Sequence, residues 1–160
     1  FIFPRFAWKH IFEPFIRKAA GLGAAPTEKD ADKYEYFYAH VDVLIIGGGS
    51  SGLAAALEVG RSGAKVLVLE QKNTWGGRAP VDGVVIDNEK SEEWINKALA
   101  ELESMPNVSL KNRTMGAGVY DHGWATGYES LTDHMPSKVG PRQRLWRIRA
   151  TRILTTTGAN

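Results

Sequence analysis

Alternating blocks of apolar and polar residues predict a strand, a helix and a second strand near the middle of this chain. Residues 43–46 are an uninterrupted apolar run, which is typical of a buried strand in a parallel sheet. Glycines follow, and then an alanine-rich segment whose small and apolar residues recur at helical spacing. A second strand is predicted at Lys65–Leu69, which is apolar from Val66 onward, and it completes the pattern of a βαβ unit.

Two more elements are predicted after this unit. Residues 91–105 have apolar positions at helical spacing, with Ser91 as the expected N-cap of the helix. Residues 108–110 then form a short strand. Around Val119–Tyr120 a further strand stays an open expectation, because glycines interrupt its alternation.

The C-terminal part of the chain predicts two strands and carries a cluster of arginines. Residues 144–150 alternate between two faces, as in a half-buried strand, and residues 153–158 form a last strand expected to return beside the first. A patch that binds phosphate or an acidic partner is one interpretation of the cluster, and the favoured one is a face covered by solvent or other protein. The cluster consists of Arg142, Arg144, Arg147, Arg149 and Arg152.

Residues 1–40 are expected to form an N-terminal aromatic helical arm and linker, and residues 41–160 a partial domain. Between Trp8 and Ala19 apolar side chains recur near helical spacing, and Pro14 marks either a kink or the first turn of a second helix. So many aromatic residues need a surface to pack against. Packing on the domain that follows, or on further parts of the same polypeptide, is favoured over a membrane surface.

Composition restricts the classes of function. The 160 residues are 43% hydrophobic and 24% charged, which is typical of a globular domain. A formal net charge of +2 is too small to indicate a nucleic-acid or membrane partner. There is no cysteine, which excludes disulfides and thiolate chemistry in this sequence and fits the expected cytoplasmic location.

The turn between the first strand and the helix has the chemistry of a dinucleotide site. Gly47, Gly49 and Gly52 have the G-x-G-x-x-G spacing, in which glycines permit a tight turn, a close approach of pyrophosphate and close packing of the helix on the strand. The N–H groups and the dipole at the start of the helix then attract phosphate groups. This turn therefore predicts binding of an adenine dinucleotide.

Glu70 ends the second strand, where dinucleotide sites place the carboxylate that accepts hydrogen bonds from the ribose hydroxyls. It disfavours NADP, because a 2′-phosphate would meet like charge, although Lys72 lies nearby. FAD and NAD both carry an unphosphorylated ribose, so the motif leaves both open. Gly76 and Gly77 follow closely and are expected to bring backbone near the phosphates, with Arg78 adding a charge-assisted contact.

The sequence predicts neither a catalytic site nor a metal site. The histidines are scattered without metal-ligand spacing, and Asp121-His122 has no nucleophile that the sequence places beside it. Each histidine is interpreted as structural. They are His10, His40, His122 and His134.

The order of these elements resembles the first dinucleotide domain of the glutathione-reductase-like superfamily. Segments outside the glycine motif resemble, more narrowly, the alpha subunit of heterotetrameric sarcosine oxidase. The resemblance implies an α/β fold, in which a Rossmann-like βαβ sheet carries an antiparallel β-meander, present here as an incomplete internal fragment. The segments that carry the narrower resemblance are residues 12–14, 17–23, 38–44, 120–122 and 141–146.

The same resemblance implies a function. It indicates an NAD-binding oxidoreductase subunit, with FAD as the alternative dinucleotide, in a hetero-oligomeric flavoenzyme that oxidatively demethylates sarcosine at a flavin in another subunit. Two departures stand out: Ser50-Ser51 replaces a common Pro-Ala, and Thr156 replaces the alanine of the usual Ala-Thr-Gly. The candidate cofactor-binding residues are Gly47, Gly49, Ser50, Ser51, Gly52, Glu70, Gln71, Gly76, Gly77, Arg78, Thr157 and Gly158.

Two other functions stay open at this point. Gly76-Gly77-Arg78 after a nucleotide fold also suits the FAD-binding domain of a flavin amine oxidase. Alternatively, the domain is a non-catalytic assembly module in which the nucleotide is a permanent structural element, and the aromatic arm and the arginine face are its contacts. Reduction of the bound cofactor by a substrate of the full complex would count against this non-catalytic interpretation.

Overall fold

The computed structural model describes residues 5–21, 23, 27–135 and 139–158. Residues 1–4 of the expected arm and residues 24–26 of its linker lie outside this description. The chain divides into two compact units, the first ending at Ala31 and the second beginning at Asp32.

The first unit is helical. Helix α1 (Arg5–Ala7) continues into a π-helical turn (Trp8–Phe12) and then into α2 (Glu13–Ala19). Pro14 is the second residue of α2, directly after the π-helical turn, and the backbone stays helical on both sides of it. It therefore marks the junction between the π-helical turn and α2 and does not start a separate helix. Large apolar side chains of this unit are exposed, namely Phe6, Trp8, Ile11, Phe12, Phe15 and Ile16.

The second unit is built on a six-stranded sheet with the strand order β5-β2-β1-β8-β7-β6. Strands β5, β2, β1 and β8 are parallel neighbours, whereas β8, β7 and β6 run antiparallel as a meander. The predicted α/β class with a βαβ unit and a meander is therefore confirmed. The strands are β1 (Tyr34–Ile46), β2 (Val66–Leu69), β5 (Val108–Lys111), β6 (Thr114–Tyr120), β7 (Trp124–Ser130) and β8 (Gln143–Thr155), with a separate hairpin of β3 (Val85–Ile86) and β4 (Glu89–Lys90).

Two hydrophobic cores lie on opposite faces of the parallel strands. Helices α3 (Ser50–Arg61) and α4 (Ser91–Ser104) cover one face, where Leu53 and Leu102 are fully buried against the strands. The meander covers the other face, where Leu44 and Leu69 pack with buried residues of β7 and β8. None of the described helices is long and apolar enough to cross a membrane.

The long strands β1 and β8 differ from the sequence prediction. Strand β1 begins at Tyr34, so residues 34–40, which were expected in the arm and linker, pair with β8. Strand β8 joins the two segments that were predicted as separate strands, and it ends at Thr155 instead of at residue 158. Pairing with neighbours on both sides supplies the hydrogen bonds that hold such a long strand extended, and the apolar pattern alone does not display them.

One local prediction is also corrected, and one expectation that stayed open, the strand around Val119–Tyr120, is met by β6. Lys90, and not Ser91, is the N-cap of α4; the Ser91 hydroxyl instead donates to the carbonyl oxygen of Ala79, 3.0 Å away. The glycines around residues 116–127 do not prevent strands, because β6 and β7 pair over their length. Gly116 packs on Ile46, where a Cβ atom would overlap the isoleucine side chain.

Candidate dinucleotide-binding site

A cavity of about 610 Å³ lies at the carboxyl ends of β1, β2 and β8. Ligands of open α/β sheets bind at this edge, and the volume falls within the ~300–1,000 Å³ of small-molecule sites. The structure brings nearly all of the predicted site residues together here. Those that line the cavity are Gly47, Gly49, Ser50, Ser51, Glu70, Gln71, Gly76, Gly77, Arg78, Thr157 and Gly158.

Each motif glycine has a separate geometric role. Gly47 has a φ of 112°, and a Cβ atom there would overlap the backbone of Thr156. Gly52 does not line the cavity; it lies beneath the turn, where a Cβ atom would overlap the carbonyl oxygen of Gly47. Gly49 has open space at its Cβ position and lines the cavity, so its missing side chain leaves room for a ligand.

The start of helix α3 is open toward this cavity. Its N-cap is Gly49, so no side chain caps the first turn, which begins with Ser50 and Ser51. The first N–H groups of a helix have no intrahelical acceptor, and the helix dipole places positive potential at this end. The arrangement fits an anionic group such as a pyrophosphate.

Glu70 stands at the end of β2 with its carboxylate in two backbone hydrogen bonds. Its Oε2 accepts from the Gly48 amide at 2.7 Å, and its Oε1 accepts from the Lys72 amide at 2.8 Å. Only 7% of the residue is exposed, yet it lines the cavity. A carboxylate oxygen has two lone pairs, so each oxygen keeps one for a ribose hydroxyl.

The glycine doublet lies directly against the glycine turn. The Gly76 amide donates to the Gly48 carbonyl oxygen at 2.8 Å, and Gly76 forms a parallel bridge with Gly49. A Cβ atom on Gly77 would lie 3.2 Å from the Cα atom of Gly49. The doublet therefore forms one wall of the cavity from backbone alone.

Arg78 lines the cavity but already has a partner. Its Nη2 and Nε donate to the Asp82 carboxylate at 3.0 and 3.2 Å. The hydrogen bond from Arg78 holds the pKa of Asp82 below its ordinary value. The predicted contact of Arg78 with a phosphate would therefore compete with Asp82.

The end of β8 braces the glycine turn through Thr156. The Thr156 hydroxyl donates to the carbonyl oxygen of Gly47 at 2.8 Å, and the Thr156 amide donates to that of Ile46 at 2.8 Å. An alanine at this position would keep the backbone bond and lose the side-chain bond. Thr157 and Gly158 follow directly and line the cavity.

Several lining residues were missed by the sequence prediction. Thr114, Met115 and Gly116 reach the cavity from β6, and Ile46 and Leu69 from the ends of their strands. No motif marks the β6 residues, because only the folding of the meander over the parallel strands brings them here. Gly48 was missed for a similar reason, since its role is a bond to Glu70 across 22 residues.

The histidines do not form a metal site in the described part of the chain, where no group of three or more potential His, Asp or Glu ligands converges. His134 lies beside Arg113, with 3.0 Å between its Nδ1 and the arginine Nη2. His40 and His122 line one cavity, separate from the one at Glu70.

Known proteins similar to this chain identify its family. A family model described as FAD dependent oxidoreductase matches residues 42–135, more than half of the chain. The chain belongs to this family of oxidoreductases. The match supports FAD, which was the alternative in the sequence prediction, and gives no support to NAD as the main cofactor.

Relatives at the sequence level confirm the narrower resemblance. The chain is 42% identical over 161 residues to the sarcosine oxidase subunit alpha of Rhizobium meliloti, covering 99% of this chain and 16% of that protein. It is 37% identical over 144 residues to the sarcosine oxidase subunit alpha of a Corynebacterium strain, covering 88% and 15%. The chain thus spans about one sixth of the length of the relatives it matches.

Solved structures confirm the fold. The L-proline dehydrogenase of P. horikoshii superposes with a TM-score of 0.60 at 26% identity, over 83% of this chain and 25% of that one. The flavoprotein disulfide reductase RclA of Escherichia coli superposes with a TM-score of 0.53 at 22% identity, over 76% of this chain and 29% of that one. The second likeness shows a common fold only.

Proposed function

We propose that this chain holds the adenosine diphosphate half of a dinucleotide in an oxidoreductase subunit related to sarcosine oxidase alpha. One observation carries the proposal: Glu70 and the uncapped start of α3 line the same cavity. The carboxylate suits the two ribose hydroxyls, and the helix start suits the pyrophosphate.

The family match favours FAD as the dinucleotide. NAD is the second candidate. The resemblance to sarcosine oxidase subunit alpha implies NAD, and the chain is similar to that subunit over nearly its whole length. Either group supplies a ring that accepts a hydride when it is bound. The residues of this chain would bind and orient its adenosine half, since Glu70 is fixed by two amides and the turn by Thr156.

The substrate of the whole enzyme is an amine such as sarcosine in this proposal. No residue of the chain is assigned to act on that amine. The contribution of this part of the polypeptide is positioning: a preformed cradle lowers the entropic cost of holding a long flexible cofactor in one pose. Other subunits of a hetero-oligomeric enzyme would complete the reaction.

The test is the identity and amount of dinucleotide released from the purified protein, together with any subunits that accompany it. Denaturation and mass spectrometry should yield one equivalent of FAD or NAD that is lost in Glu70→Ala and retained in Glu58→Ala, an exposed glutamate on α3. The species that disappears identifies the occupant. Equal amounts from both variants would overturn the proposal, and a dinucleotide that no amine substrate reduces would favour a purely structural role.

A further inference from the structure

A second cavity, of about 500 Å³, lies at the opposite end of β2 from Glu70. Four of its lining residues carry basic side chains: His40 from β1, Lys65 just before β2, His122 from the turn between β6 and β7, and Arg149 from β8. Four separate segments of the fold therefore contribute one basic group each. Neither the glycine motif nor the dinucleotide proposal uses any of them.

The backbone around Asp42 fixes one side of this cavity. The amides of Asp42 and Val43 both donate to the carbonyl oxygen of Lys65, at 2.9 and 3.1 Å, which is the pattern of a β-bulge. The Asp42 carboxylate accepts from the Lys65 amide at 2.8 Å. Lys65 is thus held at the cavity by three hydrogen bonds of its backbone, and the acid beside it is already engaged.

The other side is fixed by a tight turn. His122 has a φ of 61°, in the left-handed region that few residues other than glycine enter, and Gly123 follows at 71°. A Cβ atom on Gly123 would overlap the carbonyl oxygen of Ala150, so the turn is pressed against β8. Arg149 precedes that contact and is the direct pairing partner of His40 on β1. The turn, β8 and β1 therefore bring His122, Arg149 and His40 to one place.

The basic side chains of this cavity are unpaired, unlike their neighbours. Arg142 pairs with Asp32, Arg144 with two glutamates, and Arg147 donates to the Tyr38 hydroxyl and lies over two tyrosine rings. Among the described residues, the side chains of His40, Lys65, His122 and Arg149 have no hydrogen-bond or ion-pair partner. Asp42 also lines the cavity, but within the described part of the chain its carboxylate forms no ion pair with Lys65 or Arg149. An anion in the cavity would therefore offset the repulsion between these two positive side chains.

We propose that this cavity binds the anionic group of a small molecule, a phosphate or a carboxylate, through Arg149 and Lys65 with the two imidazoles as further donors. The planar guanidinium of Arg149 suits two oxygens of such a group, and Lys65 supplies a point charge. A concave site of this volume suits a small ligand. The proposal does not depend on the occupant of the site at Glu70.

The experiment is equilibrium dialysis of the purified protein, with its dinucleotide retained, against radiolabelled inorganic phosphate and against radiolabelled citrate at constant ionic strength. Saturable binding is expected for at least one anion, and the tighter of the two identifies phosphate or carboxylate chemistry. Arg149→Gln and Lys65→Gln should each weaken binding about 10-fold or more, as expected for loss of a charged hydrogen bond.

Two further variants control for charge and folding. Arg152→Gln removes an exposed arginine of the same strand that does not line the cavity, and it should leave binding unchanged. His122→Asn keeps a residue that tolerates the left-handed conformation and should weaken binding without unfolding the turn. All four variants should retain their dinucleotide. Absence of saturable binding, or equal weakening in Arg152→Gln, would overturn the proposal.

Discussion

The Glu70 carboxylate accepts a 2.7 Å hydrogen bond from the Gly48 amide, and this bond ties the end of β2 to the glycine turn. A second bond, from the Lys72 amide, engages the other oxygen. The bond to Gly48 is buried, and the bond to Lys72 is partly buried. The side chain proposed to hold the ribose therefore also stabilises the turn proposed to hold the pyrophosphate.

The two roles of Glu70 can be separated with two substitutions. Glu70→Ala leaves two amides without an acceptor, so the free energy of unfolding should fall by about 1–3 kcal/mol, and dinucleotide affinity should fall by a similar amount. Glu70→Gln keeps one acceptor oxygen and should recover part of the stability, but less of the affinity. Urea unfolding and cofactor titration measure the two quantities. An unchanged affinity in Glu70→Ala would remove Glu70 from the site.

Gly49 and Gly52 should respond differently to alanine. A Cβ atom at Gly52 overlaps the Gly47 carbonyl oxygen, so Gly52→Ala should cost about 1–3 kcal/mol of stability through overpacking. At Gly49 the Cβ atom meets nothing, so Gly49→Ala should keep the melting temperature and weaken dinucleotide binding. Calorimetry and cofactor content distinguish the two effects. If Gly49→Ala bound dinucleotide as tightly as the parent protein, the cavity would not hold the pyrophosphate at this turn.

Thr156 offers a test of the brace on the glycine turn. Thr156→Ala loses the 2.8 Å bond to the Gly47 carbonyl oxygen, so stability should fall by about 0.5–1.5 kcal/mol. Thr157→Ala is the matched control, because Thr157 is exposed and no hydrogen bond of its side chain is found in the described structure. Chemical denaturation of both variants measures the difference. Equal stability of the two would mean that the hydroxyl does not brace the turn.

A buried glutamate in the meander should matter more than an exposed one beside it. Glu129 accepts from Trp146 Nε1 at 2.7 Å and from Arg144 Nη1 at 3.1 Å. Glu35 also accepts from Arg144, but the Glu35 side chain is 39% exposed. Glu129→Ala should cost about 1–3 kcal/mol, because it leaves partly buried donors unpaired. Glu35→Ala should cost less, about 1 kcal/mol, because Glu35 is more exposed and Arg144 keeps its bond to Glu129. The reverse order in thermal unfolding would contradict this assignment.

The bridge between the two helices should depend on pH. Arg61 donates to both oxygens of Glu101, at 2.6 and 2.8 Å, and this hydrogen bond holds the pKa of Glu101 below its ordinary value. Because the folded pKa is the lower one, the stabilisation is present above the unfolded value of about 4.3 and is lost as pH falls through the folded value. A double-mutant cycle of Arg61→Gln and Glu101→Gln should give a small coupling at neutral pH that vanishes in acid.

A coupling that persists in acid would show that Arg61 and Glu101 interact by packing rather than by charge. Added salt gives an independent check. Both side chains are substantially exposed, so salt should weaken the coupling at neutral pH as well.

The sequence predicts the βαβ unit well because its signals are local. Each signal can be recognised from a short stretch of sequence. The signals are the apolar run at residues 43–46, the glycine spacing and Glu70, and all three lie where the motif requires. The residue pattern alone predicts the strands of the meander poorly, and the meander was expected from the family resemblance instead. The glycines of β6 and β7 are explained only by the side chains that pack on them, such as Ile46 beneath Gly116.

The arginine cluster illustrates the same limit. In the sequence its five members look equivalent. The sheet register then gives some of them acidic or aromatic partners and places Arg149 in a cavity. Partners such as Asp32 and Glu35 are more than 100 residues distant along the chain. No local pattern connects residues at that separation.

Strand β8 has 13 residues in a single register, pairing with β1 from end to end and with β7 of the meander along its first part. The register of β8 therefore sets which side chains face inward both in the meander and beside the glycine turn. An extra residue inserted after Thr151 would move every later side chain to the opposite face, turning Thr156 away from Gly47. A change in the length of β8 therefore requires the cofactor edge and the meander to be rebuilt together.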